Sequence, residues 1–190
     1  MKNLVIFASG TGTNAVNITK HFMQGNQARV VALFCNNPNA AVIEKMQQLN
    51  VPVELFDKKT LSSEQHFLAT VKSYQPDLIV LAGFLWLIPP YLTEAYNGRI
   101  INIHPALLPK YGGKRMYGHH VHEAVLAAHE KEHGITIHFV NEYYDEGKHI
   151  VQAKFDLPAN ADLAFVEQNI SALEMHYYPI AIERVLEKLA

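Results

Sequence analysis

Short apolar runs alternate with longer segments of helical spacing in the first hundred residues, and this alternation constrains the fold more than any other feature. The predicted strands cover residues 3–8, 29–35, 52–56, 77–82 and 99–104, and the predicted helices cover residues 13–24, 40–49, 63–74 and 90–96. Such alternation is typical of a parallel sheet with right-handed crossovers and helices on both faces. The runs LVIFA and DLIVLA are almost continuously apolar, as strands covered on both faces are. We therefore predict an α/β fold with a doubly wound, mostly parallel, Rossmann-like sheet.

The pattern of the second half of the chain predicts that the sheet continues with antiparallel strands. A helix is expected over residues 118–130, and Gly134 then ends it. The runs GITIHFV and HIVQAKFDL follow, separated by NEYYDEGK with turn residues at 145–147, and this pattern is typical of an antiparallel hairpin. A terminal helix is predicted over residues 162–189, where Pro179 should cause a kink or divide it into two abutting helices.

Composition and charge exclude several classes of protein. The 190 residues suffice for one domain with a sizeable core, and the net charge of −2 argues against sequence-independent binding of nucleic acid. Cys35 is the only cysteine, so no intramolecular disulfide can form and a reducing cytoplasm is expected. The apolar opening is too short for a signal peptide, and no segment approaches the length of a membrane span.

The stretch FASGTGTNA places a glycine-rich loop between the first strand and the first helix. Gly10, Gly12 and Ala15 fit the spacing G-x-G-x-x-G/A, which lets an anion approach the backbone amides of a helix start. A dinucleotide cofactor would also require an acidic residue at the end of the second strand, which reads LFCNN. A phosphate monoester fits better, because Thr13 and Asn14 add side-chain donors, although a purely structural turn would also need glycines.

The strand RIINIH carries two polar residues that the sheet alone does not explain. Asn102 and His104 are two positions apart, so they point to the same side of an extended chain, and Pro105 ends the strand just beyond them. A carboxylate beside His104 would favour its charged form, and Asp145 is the best candidate. Asp145 could equally serve only to shape the turn YYDEGK.

Histidine-rich stretches raise the possibility of a metal site, which we weigh against other roles of these histidines. HEKEH, residues 129–133, satisfies H-E-x-x-H with both imidazoles on one helix face, but it sits at a helix end before Gly134 and lacks a third ligand. HHVH, residues 119–122, fits helix-start solvation or a substrate contact better than a metal site. His138 is either a satisfied interior histidine or a group behind the site. We predict no metal.

Four segments together resemble a known family. ASGTGTN, PDLIVLAGF, INIHPALLPKYGG and YYDEGKHIVQAKF are similar to the phosphoribosylglycinamide formyltransferases (glycinamide ribonucleotide transformylases), a branch of the folate-dependent formyltransferase family. The resemblance extends from residue 4 to about residue 180. It implies a single formyltransferase domain over residues 1–190, with the phosphate-binding half over about 1–100 and the catalytic and folate half over about 101–190.

The resemblance implies a reaction, a cosubstrate and a set of site residues. The reaction is transfer of the formyl group of 10-formyltetrahydrofolate to the amine of 5'-phosphoribosylglycinamide in purine biosynthesis, without a metal. The catalytic positions are Asn102, His104 and Asp145. The remaining implied site residues are Gly12, Thr13, Asn14 and Glu174 for the phosphate and ribose, and Leu85, Trp86, Leu87, Ile88 and Asn102 for the folate. Trp86 departs from the basic residue of some relatives, and residues 112–122 should form a mobile loop over the folate.

The same catalytic residues would also suit other formyl acceptors, so the function has alternatives. The acceptor could be methionyl-tRNA or water, but the tRNA enzyme carries a further C-terminal domain and the hydrolase a further N-terminal one, which favours the small nucleotide here. A non-catalytic phosphate-ligand binding domain is the third possibility, and the intact residues 102, 104 and 145 argue against it. The expected partners are small molecules, with no nucleic acid and no membrane, for a monomer or homodimer.

Overall fold

A single seven-stranded sheet organises the protein in the computed structural model, which describes residues 1–189; residue 190, the last of the predicted domain, lies outside them. The strands are β1 Lys2–Ala8, β2 Ala28–Cys35, β3 Val53–Leu55, β4 Leu78–Leu81, β5 Ile100–His104, β6 Glu132–Phe139 and β7 His149–Asp156. The helices are α1 Thr13–Met23, α2 Val42–Gln48, α3 Lys58–Ser62, α4 Glu64–Ser73, α5 Pro90–Ala95, α6 His119–Ala127 and α7 Leu163–Lys188. No helix within residues 1–189 combines the length and apolar character needed to cross a membrane.

The strand order is β3-β2-β1-β4-β5-β6-β7. The pairs among β1 to β5 are parallel, and β6 and β7 are added antiparallel at one edge. The chain first builds outward from β1 through β2 and β3, then returns to β1's other side with β4. The strand order therefore reverses between β1 and β4, where a crevice forms at the carboxyl ends of the strands. The predicted fold class, hairpin and terminal helix are confirmed.

Alternate residues of the central strands supply two separate cores. Leu4 and Ile6 of β1 belong to the core on one face, which includes Ile18 of α1 and Val166 of α7. Val5 and Phe7 point to the other face, where the core includes Phe67 of α4 and Leu92 of α5. Burial on both faces explains the uninterrupted apolar run of β1, because neither face of the strand meets water.

Three local predictions differ from the structure. The short helix α3 was not predicted; Asp57 begins it by accepting a hydrogen bond from the Thr60 amide at 2.7 Å. The chain turns at His129 with φ 51°, so α6 ends at Ala127 and β6 begins at Glu132. Gly134 does not end the helix but lies inside β6, where a Cβ would stand 2.0 Å from the carbonyl oxygen of Ala153. Its role is to let β7 approach.

Pro179 does not divide the terminal helix. α7 runs as one helix from Leu163 to Lys188 with Pro179 inside it, so two abutting helices are not what forms. Proline has no N–H to donate to the carbonyl four residues earlier. That carbonyl belongs to Met175, and it accepts a hydrogen bond of 2.8 Å from Asn17 Nδ2 of α1 instead. A neighbouring helix thus supplies the donor that the proline removes.

Candidate active site

A cleft of about 920 Å³ opens at the carboxyl ends of β1, β4 and β5, where the strand order reverses. Residues 10–14, 81–88, 102–105 and 113–119 line it, together with Asp145 and Glu174. Every residue that the sequence singled out for catalysis or binding lies along this one cleft. A concave site of this size with convergent polar groups is the usual form of a small-molecule site.

The start of α1 forms the first part of the cleft. Gly12 precedes the helix with φ 78°, a left-handed conformation, and a Cβ there would stand 2.4 Å from Val42 Cγ2. Only glycine fits both constraints. Among residues 1–189, no side chain caps α1, so the first amides of the helix, at Thr13 and Asn14, have no capping side chain where they line the cleft. The local geometry suits a phosphate group.

Glu174 of α7 adjoins this helix start. Asn14 Nδ2 donates to Glu174 Oε2 at 2.9 Å. Burial raises the pKa of the Glu174 carboxyl, which the hydrogen bond from Asn14 only partly offsets. Asn14 Oδ1 is buried and has no hydrogen-bond partner among the groups of residues 1–189. Two acceptors in one wall of the cleft match a ligand that carries hydroxyl donors.

Asn102 is oriented by His138 of β6. His138 Nδ1 lies 2.9 Å from the carbonyl oxygen of Phe139, so Nδ1 carries the proton and donates it. Its Nε2 then accepts from Asn102 Nδ2 at 3.3 Å. This contact aims the amide nitrogen of Asn102 and leaves its second N–H for the cleft. His138 therefore lies behind Asn102. This agrees with the interpretation of His138 as a group behind the site.

The two ring nitrogens of His104 have different partners. Nε2 lies 2.7 Å from the carbonyl oxygen of Tyr111, and because a carbonyl only accepts, Nε2 carries a proton. Nδ1 lies 3.5 Å from Asp145 Oδ2, longer than a good hydrogen bond. Nδ1 is thus the nitrogen whose protonation can change while the bond to Tyr111 stays intact.

Asp145 is held in place by backbone. It has φ 58°, its Oδ2 accepts from the Gly113 amide at 3.0 Å, and its Oδ1 lies 3.5 Å from His138 Nε2. Burial opposes its ionisation, but the hydrogen bond from the Gly113 amide and the nearby His104 help to outweigh burial, and its pKa is lowered. Gly147 allows the loop to fold back, because a Cβ there would stand 1.6 Å from the carbonyl oxygen of Phe139.

The charge of His104 differs from the sequence expectation. Asp145 and the Tyr111 carbonyl both raise the pKa of His104, as expected, but burial acts more strongly and leaves the pKa lowered overall. The side chain is only 4% exposed, so an imidazolium loses most of its hydration there. The imidazole is therefore mainly neutral near pH 7, and Asp145 makes its protonation easier without securing it.

The segment after β4 forms the far wall of the cleft. Leu85 and Leu87 are exposed, Trp86 is half-buried and Ile88 is buried. Ser9, which follows β1, holds this segment: its amide donates to the Gly83 carbonyl at 3.1 Å and its Oγ accepts from the Leu85 amide at 3.1 Å. Ser9 was not among the predicted site residues.

The candidate metal ligands form a cluster on α6, of which His119 also lines the cleft. His119, His120 and Glu123 bring ligand atoms within 4.8 Å of one another, but all three are exposed on the first turns of α6. The HEKEH motif is not helical: His129 lies in the turn after α6, whereas His133 is buried in β6. The helix face that H-E-x-x-H requires is therefore absent over residues 129–133.

Tyr111 and two buried histidines make contacts that were not predicted from the sequence. The carbonyl of Tyr111 and the amide of Gly113 are backbone groups, which carry no residue signature. His122 and His133 lie 3.1 Å apart between Nδ1 and Nε2 and are both almost fully buried. Burial, together with the neighbouring His122 and His104, lowers the pKa of His133 to about 4.

Comparison with known proteins gives one consistent result. The family model described as "Formyl transferase" matches residues 2–182. Phosphoribosylglycinamide formyltransferase of Bacillus subtilis is 35% identical over 191 residues, which cover 98% of this chain and 95% of that protein. The protein of that name from Haemophilus influenzae is 32% identical over 188 residues, covering 96% and 86%. A crystal structure of phosphoribosylglycinamide formyltransferase from Bacillus halodurans superimposes with a TM-score of 0.88 at 35% identity, covering 100% of this chain and 97% of that one.

Proposed function

The chain belongs to the formyl transferase family, and from this premise we propose that Asn102, His104 and Asp145 carry out its formyl transfer. The chain is a formyltransferase that acts on phosphoribosylglycinamide in purine biosynthesis. The formyl donor in our proposal is 10-formyltetrahydrofolate. The observation that carries the proposal is the convergence of an amide, an imidazole and a carboxylate in one cleft, with His104 Nδ1 3.5 Å from Asp145 Oδ2.

The chemistry requires stabilisation of a developing negative charge. The amine nitrogen of phosphoribosylglycinamide attacks the formyl carbon, a C–N bond forms, and charge accumulates on the formyl oxygen. The Asn102 amide N–H and a protonated His104 Nδ1 donate hydrogen bonds to that oxygen. The growing negative charge itself favours the imidazolium, which offsets the burial that keeps His104 mainly neutral.

Collapse of the intermediate requires two proton movements. The bond between the formyl carbon and folate N10 breaks, N10 gains a proton, and the attacking amine loses one. Asp145 is anionic and adjoins both His104 and His138, so it can accept the amine's proton through a water and return it toward N10. No covalent bond to the protein forms in this sequence.

The ends of the cleft would hold the two substrates. The amides of Gly12, Thr13 and Asn14 bind the phosphate, and Glu174 binds ribose hydroxyls. These hydroxyls donate hydrogen bonds to the acceptors in the cleft wall formed by Asn14 and Glu174. The pterin lies along Leu85, Trp86, Leu87 and Ile88, with Asn102 between the two substrates. In this proposal residues 1–100 contribute most of the phosphate side and also the pterin wall, so the folate site is not confined to the second half, and residues 101–189 contribute the three catalytic groups.

A steady-state assay with 10-formyltetrahydrofolate and phosphoribosylglycinamide tests the roles. Loss of one oxyanion donor in Asn102→Ala or His104→Ala should lower kcat by roughly 100- to 1,000-fold, because such a donor is worth about 3–4 kcal/mol. His66→Ala is the matched control, since His66 is exposed on α4 away from the cleft. Near-normal kcat in His104→Ala would contradict the assignment, and turnover with water or methionyl-tRNA in place of the nucleotide would favour the other acceptors.

The setting of the reaction is also part of our proposal. We propose that the enzyme acts in the cytoplasm on free small molecules, as a monomer or homodimer, without nucleic acid and without a metal. The net charge of −2 supports the absence of nucleic acid, and the single, buried Cys35 supports the cytoplasm.

A further inference from the structure

His104 depends on a loop whose own attachment lies outside the cleft. Tyr111 provides the carbonyl that accepts from His104 Nε2 at 2.7 Å, and two residues later the Gly113 amide donates to Asp145 Oδ2 at 3.0 Å. One short segment, residues 111–113, therefore contacts both the imidazole and the carboxylate. Its position determines how the two groups face each other.

The backbone of this segment is not in a conformation that it would adopt unaided. Tyr111 has φ 57°, in the left-handed region that a residue with a side chain rarely occupies. Gly112 is similarly confined, since a Cβ there would stand 2.7 Å from Leu108 Cδ2 and 3.4 Å from Asp145 Cβ. Surrounding contacts must therefore hold residues 111–113 in place.

The contact that holds Tyr111 comes from the turn between α6 and β6. Tyr111 Oη donates to Glu130 Oε1 at 2.9 Å, and Lys110 Nζ donates to the same oxygen at 2.8 Å. The hydrogen bonds from Lys110 and Tyr111 lower the pKa of Glu130, so it is an anionic acceptor near pH 7. Glu130 does not line the cleft, and its hydrogen bond to the Tyr111 ring connects it to His104 through the backbone of Tyr111.

We propose that Tyr111 and Glu130 are positioning residues for His104: the Glu130 carboxylate fixes the Tyr111 ring, and the Tyr111 carbonyl keeps the proton on His104 Nε2. Nδ1 is thereby reserved for the reaction. The hydrogen bond on one ring nitrogen commonly selects the tautomer in this way. The proposal rests on the role given to His104 above, but the tautomer can be measured without any substrate.

Histidine nitrogen NMR at pH 7 provides the first test. The wild-type protein should show His104 protonated at Nε2, with the signal assigned by its loss in His104→Ala. In Tyr111→Phe, which retains the ring but lacks the hydroxyl, a substantial fraction should shift to the Nδ1 tautomer. The charged and titratable groups around the ring are Asp145, His138, His122 and His133, and all remain in this variant.

Kinetics provide the second test. Tyr111→Phe should lower kcat about tenfold while KM for phosphoribosylglycinamide changes less than about twofold, because the reacting group loses orientation and the substrate subsite does not. Glu130→Ala should behave like Tyr111→Phe, and Glu130→Gln, which keeps an acceptor, should lose less. Lys110→Met is the matched control, since it removes the other partner of Glu130 from a side chain that is 65% exposed.

The outcomes separate this proposal from the one on which it rests. Wild-type kcat in Tyr111→Phe overturns it whatever the spectrum shows, and so does an equal loss in Lys110→Met. A wild-type protein whose His104 is not protonated at Nε2 also overturns it. Failure of His104→Ala to affect turnover would instead remove the catalytic role of His104, a result that the NMR measurement does not depend on.

Discussion

The protonation of His104 depends on neighbours that act in opposite directions. Burial lowers its pKa, while Asp145 and the carbonyl of Tyr111 raise it. The hydrogen bond to Tyr111 occupies Nε2, so the charge of the ring changes at Nδ1, which faces Asp145. The site thus keeps an imidazole that can become charged when a negative charge forms nearby.

Replacement of Asp145 by asparagine should move the pH profile in a defined direction. Because the carboxylate raises the pKa of His104, its loss lowers that pKa further and shifts the alkaline limb of kcat to lower pH. The measurement is kcat against pH in wild type and in Asp145→Asn. Asp156→Asn is the control, since Asp156 is exposed at the end of β7. A limb at the same pH in both Asp145→Asn and wild type would show that Asp145 does not influence the titrating group.

Side chains of the site were predictable where they interrupt a pattern. Asn102 and His104 are conspicuous because polar residues at alternate positions of an apolar strand require an explanation. Ser9, Tyr111 and Gly113 were not found, because they act through a hydroxyl or through backbone groups whose partners are distant in sequence. The folded path of residues 109–118 brings the groups of Tyr111 and Gly113 to the cleft, whereas Ser9 reaches it from the end of β1.

Between elements, α1 and α7 share a hydrogen bond that substitutes for a missing one. Pro179 cannot donate to the carbonyl of Met175, and Asn17 Nδ2 donates to it at 2.8 Å. The arrangement fixes the rotation of α7 relative to α1. It also keeps Glu174, one position before Met175, beside Asn14.

A double-mutant cycle should reveal this substitution. Asn17→Ala should lower the free energy of unfolding by about 1 kcal/mol, the usual net value of such a hydrogen bond. In a Pro179→Ala background the restored N–H can satisfy Met175 within the helix, so Asn17→Ala should cost clearly less. Urea unfolding measures both, with Lys20→Ala as a control on an exposed position of α1. Equal costs in the two backgrounds would contradict this interpretation.

Element boundaries were predictable to within a few residues, and the exceptions have physical causes. α3 has five residues, too few for helical periodicity to be read from its sequence. Gly134 resembles a helix terminator in sequence, yet its lack of a side chain serves the approach of β7, a contact distant along the chain. Pro179 resembles a helix breaker because it lacks an N–H, and the sequence around it does not show that Asn17 of α1 supplies the missing donor.

At the scale of the whole molecule, buried histidines link stability to pH. His133 is 1% exposed in β6, where burial lowers its pKa to about 4, and the pKa of His122 is lowered as well. The unfolded chain binds a proton at each of these positions at a higher pH than the folded chain does. The folded state therefore loses stability as pH falls below the ordinary histidine pKa.

Acid sensitivity should diminish when His133 is replaced. Between pH 6.5 and pH 4 the wild type should lose up to about 3 kcal/mol through His133, since each pH unit of difference corresponds to about 1.4 kcal/mol. Above pH 6.5 this contribution is absent, and below pH 4 it no longer grows. His133→Gln should show a shallower decline of the unfolding free energy over that window in urea titrations. Parallel declines in the two proteins would mean that His133 is not the group responsible.

The doubly wound sheet with its antiparallel edge was predictable because apolar runs and their spacing determine which elements can be covered on both faces. The convergence of Gly12, His104, Asp145 and Glu174 on one cleft was not predictable from spacing, because it depends on the reversal of strand order between β1 and β4. The sequence around any one of these residues does not indicate that the other three lie close to it.

The contact between Gly12 and Val42 has a consequence for recombination between relatives. The space beside the turn at Gly12 is bounded by the first residue of α2, which a Cβ at position 12 would approach to 2.4 Å. A chimera that takes its second helix from another parent would reshape that turn even if its first thirty residues were untouched. Crossover points between positions 12 and 42 are therefore the ones to avoid when such hybrids are built.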